Sequence, residues 1–183
     1  MADHIAALSR SCFFHIQQLR SIGQSLTTDA MKTLVYAVVS SRIDYCISIL
    51  AGVSGQLLQR LQSVQNAAVR LVTGARRSDR MTPILRQLHW LPVRQRITFK
   101  MAMLVYKCRH GMALPYLSTY CEPTSSSHGG RCHLLSAESG QLTVPYTRTN
   151  YGDCSFAVHG PVVWNSLPAN LHLLNISLPV FRK

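Results

Sequence analysis

The sequence predicts a mainly α fold: an N-terminal three-helix bundle, then a basic long helix and a loop-rich C-terminal segment with short helices and at most a short strand pair. Three observations predict it. Apolar residues recur every three to four positions through the first 110 residues, glycines and prolines punctuate those runs, and the stretch 122–140 is rich in Ser, Gly and Pro.

The first helix carries Ile5, Leu8, Cys12, Ile16 and Leu19 at helical spacing and should stop at Gly23, just after Arg20 and Ile22. Thr27, Thr28 and Asp29 are cap candidates for a second helix through Val35, Val38, Val39 and Cys46, closed by Gly52. Arg42 falls on the apolar face of that helix, where it either snorkels, pairs in the core or reaches into a cleft, and the pairing role is the one expected. Asp44, two residues on, cannot face it on a straight helix. Ser54 is placed to cap a third helix whose stripe is Leu57, Leu61, Val64, Ala68 and Leu71, with Gln59, Gln62, Asn66 and Arg70 on the far side and Gly74 at the stop. Short connections make the three antiparallel.

A basic connector comes next (Arg76, Arg77, Arg80), in which Pro83 and Pro92 stand where a first helical residue tolerates proline. Trp90 is expected to anchor the start of the next helix in the core, although an indole at that place can also stack on a base. The helix from Pro92 to Gly111 shows one apolar stripe, Val93, Ile97, Met101, Leu104 and Cys108, and a second face of Phe99, Met103 and Tyr106. Arg96, Lys100 and Lys107 lie between them, the pattern of a helix packed on two sides with a cationic seam left open. Residues 122–140 read as a mobile loop, and Gln141 to Arg148 as a short extended piece that Pro145 keeps from being a central strand. The apolar run from Phe156 to Leu167 is followed by turns at Pro168 and Pro179, and the sequence stops at Phe181, Arg182, Lys183 as another helix begins, as a truncated piece would. The expected organisation is a bundle at 1–74, a basic connector and long helix at 75–120, and a loop-rich segment at 121–183.

At 183 residues, 47% hydrophobic and 14% charged, the chain supports one ordinary core or one and a half small ones. No apolar run is longer than Leu34 to Val39, and the start lacks a basic region followed by an apolar one, so a soluble intracellular protein is expected. The six cysteines sit singly, which favours free, mostly buried thiols over a disulfide scaffold. Cys121, His128, Cys132 and His133 have the wrong spacing for a tetrahedral zinc site, so no metal is expected. No nucleophile elbow accompanies any Ser or Cys.

Charge gives the functional lead. The net charge is +12, and between residues 60 and 109 Arg60, Arg70, Arg76, Arg77, Arg80, Arg86, Arg94, Arg96, Lys100, Lys107 and Arg109 face a single acid, Asp79. Dense positive charge of this kind costs self-repulsion and marks a polyanion partner.

Several long motifs name a family. Arg-Ile-Asp-Tyr-Cys at 42–46, Leu-Gln-Ser-Val-Gln-Asn-Ala-Ala-Val-Arg-Leu-Val-Thr-Gly at 61–74 and Leu-His-Trp-Leu-Pro-Val-Arg-Gln-Arg-Ile at 88–97 resemble the carboxy-terminal part of LINE-type (non-LTR) retrotransposon reverse transcriptase polyproteins. So do Leu-Pro-Tyr-Leu at 114–117, Tyr-Gly-Asp-x-x-Phe-Ala-Val at 151–158 and Gly-Pro-x-x-Trp-Asn-Ser-Leu-Pro at 160–168. The resemblance implies a thumb-like bundle and post-polymerase region of an RNA-directed DNA polymerase. The paired metal-binding aspartates of that family belong to a palm on the amino-terminal side, and the seven acids here (Asp3, Asp29, Asp44, Asp79, Glu122, Glu138, Asp153) include no adjacent pair. The implied chain is therefore non-catalytic and needs no cofactor, the divalent metal belonging to the palm. It meets RNA, DNA or an RNA:DNA hybrid through the eleven cations named above, with the palm and fingers of the parent polymerase as further partners. The alternative is a helical protein-interaction module or a functionless remnant of a transposable element. The seam at Arg96, Lys100 and Lys107 separates the two: exposed along a groove it supports nucleic acid, sealed by the C-terminal segment it supports the alternative.

Overall fold

The computed structural model of the chain describes residues 2–45, 50, 52–125, 140–172 and 176–182. It is mainly helical, and among the described residues the expected strand pair is reduced to one antiparallel bridge, Pro123 with Leu142. Two bonds flank it, Thr124 N–H to the Gln141 carbonyl and Thr143 N–H to the Glu122 carbonyl, both 3.0 Å. Proline brings no N–H of its own to lengthen the ladder. The mobile loop expected at 122–140 falls mostly outside the described residues.

Two compact units are present, one of Met1–Ile47 with Val53–Arg96, the other of Ser48–Gly52 with Ile97–Lys183. The first unit opens with α1 (Ala2–Ile22), whose Ile5, Cys12, Ile16 and Leu19 are buried as their spacing predicts. Thr27 caps α2 (Thr28–Val35) by accepting from the Ala30 N–H at 3.3 Å. The rod then runs through a π turn, Tyr36–Ser40, into α3 (Ser41–Tyr45). A π turn inserts one extra residue and rotates the helix beyond it about its axis. That rotation corrects the expectation for Arg42: it is exposed, donating to Ser11 Oγ at 2.6 Å, while its neighbour Ile43 takes the core position. Cys46 lies outside the described residues.

α4 (Gly55–Thr73) begins after Ser54, whose side chain makes no capping bond; its carbonyl accepts from Leu57 and Leu58 instead. The helix ends at Gly74 with φ of 70°, a left-handed turn that glycine adopts without strain. Cys12, Ile16, Met31, Val35, Val39, Ile43, Val64, Ala68 and Val72 form the shared core, with Trp90 packed against it from after α5 (Met81–Gln87). Pro83 is the third residue of α5 rather than its first, and Pro92 precedes α6 (Val93–Arg109), its carbonyl accepting from the Arg96 N–H at 2.8 Å.

Gln59 is exposed as expected, whereas Gln62, expected on the same far side, joins Gln65 in holding the start of α6. Gln65 is buried and donates to the Leu91 carbonyl at 2.9 Å, while Gln62 Oε1 accepts from the Val93 N–H at 2.9 Å and Gln62 Nε2 reaches Gln65 and Asn66. An otherwise orphaned N–H at the start of α6 is thus satisfied by a side chain from another helix.

The second unit gathers around the rest of α6. Met101, Ala102, Val105, Tyr106 and Cys108 are buried, whereas Leu104 is only half-buried. The helix is therefore packed around most of its circumference, and Tyr106 from the predicted second face is at the centre. α6 stops in a Schellman arrangement: Met112 N–H bonds to Lys107 at 2.9 Å and Gly111, at φ 66°, to Cys108 at 3.4 Å. After α7 (Pro115–Ser118) and α8 (Asn150–Asp153), α9 (Phe156–Asn165) brings Val158, Val163 and Trp164 into this core. Gly160 permits the approach, since a Cβ there would stand 3.2 Å from both Val105 Cγ2 and Phe156 Cε2. Trp164 stacks at 5.9 Å on Phe181 of the one-turn α10 (Leu178–Phe181), and Phe181 at 4.6 Å on Tyr106. Among the described residues no helix is long and apolar enough to cross a membrane.

Candidate nucleic-acid interface

The eleven cations separate by what already holds them. Arg96 is not open. Its Nε and Nη2 donate to the two carboxylate oxygens of Asp44, each at 2.6 Å, and the side chains are only 16% and 13% exposed. The hydrogen-bonded carboxylate is the main cause that raises the Arg96 pKa, against the opposing effect of burial. This guanidinium is neutralised inside the first unit.

Arg109 is also engaged within its own unit. It donates to the Gly140 carbonyl at 2.8 Å and lies 5.2 Å above the Trp164 ring, and burial pushes its pKa down. A cation over an indole face is attracted by the ring quadrupole, which suits a packing role. Lys100 is half-buried with an interaction of its own, and Lys107 is exposed. Only one member of the predicted seam, Lys107, therefore stands fully at the surface.

Arg60, Arg76, Arg77, Arg80, Arg86 and Arg94 are exposed. Arg70 is half-buried at the end of α4, its Nε and Nη2 reaching the carbonyls of Arg76 and Arg77 at 3.4 and 3.3 Å. Those bonds fold the connector back over the helix end. Asp79 tightens the same turn by accepting from the Arg76 N–H at 2.7 Å, so the one acid of the region is bound to backbone.

Between the C-terminal halves of α1 and α4 lies an open groove of about 560 Å³. Its lining is mixed: Phe13, Ile16, Ala67 and Leu71 are apolar, Gln17 is polar, Arg20, Arg70 and Arg77 are cations, and no acid among the described residues lines it. Arg20 lies outside the basic stretch 60–109, and in the sequence it marks only the last turn of α1. What could have found it is its position one turn beyond Ile16 and Gln17, on a helix that parallels α4 in a three-helix bundle. The two helix ends direct carbonyl dipoles toward the same region, so part of the arginine charge offsets them. Three guanidiniums line this one groove, and that of Arg70 is engaged by the connector carbonyls.

The remaining chemistry is sparse. Among the described residues no three or more His, Cys, Asp or Glu side chains gather as a metal site, while His128, Cys132 and His133 lie outside those residues. Cys12, Cys108 and Cys121 are buried and free, and Cys154 is half-buried. Burial pushes the first two thiols up and Cys121 up to about 12, helped by the adjacent Cys108. All three are protonated at neutral pH, and a thiol in that state is a poor nucleophile.

A scan against protein-family models, a search of curated proteins and a search of solved structures each return no match for the chain.

Proposed function

We propose that the chain is a non-catalytic fragment of a retrotransposon RNA-directed DNA polymerase, its thumb and following region, which holds template RNA and primer DNA by their phosphates. The observation that carries this reading is the convergence of Arg20, Arg70 and Arg77 on one acid-free groove, continued by exposed Arg76 and Arg80 on the connector. Guanidinium forks match phosphate oxygens, and contacts of that kind position a nucleic acid without reading its bases. The family assignment rests on the motifs at 42–46, 61–74, 88–97, 114–117, 151–158 and 160–168, and partners include RNA, DNA or their hybrid and the parent polymerase's palm and fingers.

The test is binding of an RNA:DNA hybrid across a salt series. Charge reversal at Arg20, Arg76, Arg77 and Arg80 should weaken binding and flatten the slope of log K against log salt by roughly 0.7–0.9 for each phosphate no longer neutralised. Lys107→Glu, a single reversal in the second unit, should alter it by less than the single reversal Arg77→Glu. Equal losses from these two single reversals would mean diffuse attraction with no located interface. A second reading, a helical protein-interaction module, is favoured by the exposed side chains of Met112, Leu114, Tyr116 and Tyr120 around α7. Weak binding that ignores salt and charge reversal would leave that reading or a functionless remnant.

A further inference from the structure

The groove between α1 and α4 has a feature that duplex binding does not use. A double helix presents sugar and phosphate outward and keeps its bases stacked inside. A duplex would meet Arg20, Arg70 and Arg77 through its phosphates and leave the apolar side chains of Phe13, Ile16, Ala67 and Leu71 without a partner. An unpaired nucleotide has the opposite character, with a flat apolar base on one side and a phosphate on the other. The groove offers both kinds of contact: Phe13, Ile16, Ala67 and Leu71 are apolar, and Arg20, Arg70 and Arg77 are cations. Its volume of about 560 Å³ also falls within the roughly 300–1,000 Å³ of clefts that bury a small ligand.

Phe13 is 40% exposed on a helix whose core positions are filled by Ile5, Cys12, Ile16 and Leu19, so packing alone does not require an aromatic ring there. We propose that this groove is a binding site for single-stranded nucleic acid, in which a base stacks on Phe13 while Arg20 and Arg77 take the adjoining phosphates. The inference rests on the reading that the chain meets nucleic acid, and it adds which form of nucleic acid this face takes. Arg70 acts as the support, since its bonds to the carbonyls of Arg76 and Arg77 fix the connector that carries Arg77. Stacking on an aromatic side chain tolerates any base, so the site should show little sequence preference.

The experiment is fluorescence anisotropy of the full chain with three labelled probes: an oligothymidylate of twelve nucleotides, an abasic strand with the same number of phosphates, and an RNA:DNA hybrid of the same length. The wild type should bind the oligothymidylate about 5- to 100-fold tighter than the abasic strand. Phe13→Leu, which keeps an apolar contact without a ring to stack on, should remove that gap and leave abasic binding unchanged. The double variant Arg20→Glu, Arg77→Glu should weaken both strands. Equal wild-type affinity for the two strands would overturn stacking while leaving phosphate binding intact. Failure to bind any probe would overturn the nucleic-acid reading and this site with it. Photocrosslinking the wild type to a 5-iodouracil strand supplies a readout independent of the variant's folding: a crosslink in the Phe13 peptide is expected, and crosslinks confined to other peptides would overturn the placement.

Discussion

Asp44 and Arg96 are 52 positions apart and meet through two short, parallel hydrogen bonds with little solvent access. Removing one partner of such a pair leaves an uncompensated charge, whereas replacing both with apolar groups leaves none. Asp44→Asn should therefore cost about 3 kcal/mol in urea unfolding, the lower end of the range for breaking a buried pair, because these side chains retain some contact with water. The double variant Asp44→Leu, Arg96→Met should recover most of that loss; a cost for Asp44→Asn under about 1 kcal/mol would mean that solvent screens the pair as it does at a surface. His159 gives a second residue-scale expectation, in pH. Burial lowers its folded-state pKa. Between the folded and unfolded values the unfolded chain then binds more protons, so stability is whole above the unfolded value of about 6.5 and declines as pH falls through it. Melting followed from pH 7.5 to 5 should show a decline that is shallower in His159→Gln, and identical slopes would rule out this histidine as a source.

Helix ends show most clearly how far the sequence could be read. Gly23, Gly74 and Gly111 each mark a stop that the structure places within a residue or two: Gly23 opens a short 3-10 turn, while Gly74 and Gly111 adopt the left-handed turn that other residues resist. The end of α5 uses the same turn without the signal. His89 N–H bonds to Arg86 at 3.0 Å and Trp90 N–H to Leu85 at 2.8 Å, a Schellman arrangement whose left-handed position, φ 55°, is occupied by histidine. His89→Gly should relieve that conformation and raise stability by about 0.5–1 kcal/mol in denaturant unfolding, after allowing for glycine's greater freedom in the unfolded chain. A loss would show that the imidazole makes a compensating contact. The π turn at 36–40 was equally hidden, since the apolar spacing runs through it unbroken, and it moved Arg42 from the core to the surface. Gln62 of α4 reads as solvent-facing because no local pattern shows that an orphaned N–H from α6 will come to meet it. Half of the candidate site was legible for the same reason: Arg76, Arg77 and Arg80 are plain from the charge of one segment. Arg20 and Phe13 enter only through the packing of α1 beside α4.

Across the whole molecule, 19 Lys and Arg against 7 Asp and Glu leave a charge of +12, and the acids of the described residues do little to offset the connector. Asp44 is committed to Arg96, Asp29 to Lys32 at 3.2 Å, and Asp79 to backbone at Arg76. Unfolding spreads the remaining like charges farther apart, so self-repulsion works against the compact state. Salt should then stabilise this chain. Raising NaCl from 50 to 500 mM shortens the screening length to a few ångströms, less than the spacing of most exposed side chains. If the relief is on the order of 1 kcal/mol, the midpoint should rise by about 2–4 °C for a chain of this size. The buried Asp44–Arg96 pair is screened much less and should not reverse the trend. Arg76→Glu, Arg77→Glu and Arg80→Glu together lower the net charge by six, two for each reversal, and should flatten the salt dependence while raising the midpoint at low salt. The same three changes are expected to weaken nucleic-acid binding, so the surface that binds would be the surface that destabilises the unbound chain. A midpoint that stays level from 50 to 500 mM, or a triple variant that melts lower at low salt, would show that these arginines are already balanced within the fold, and the polyanion reading would lose its electrostatic ground.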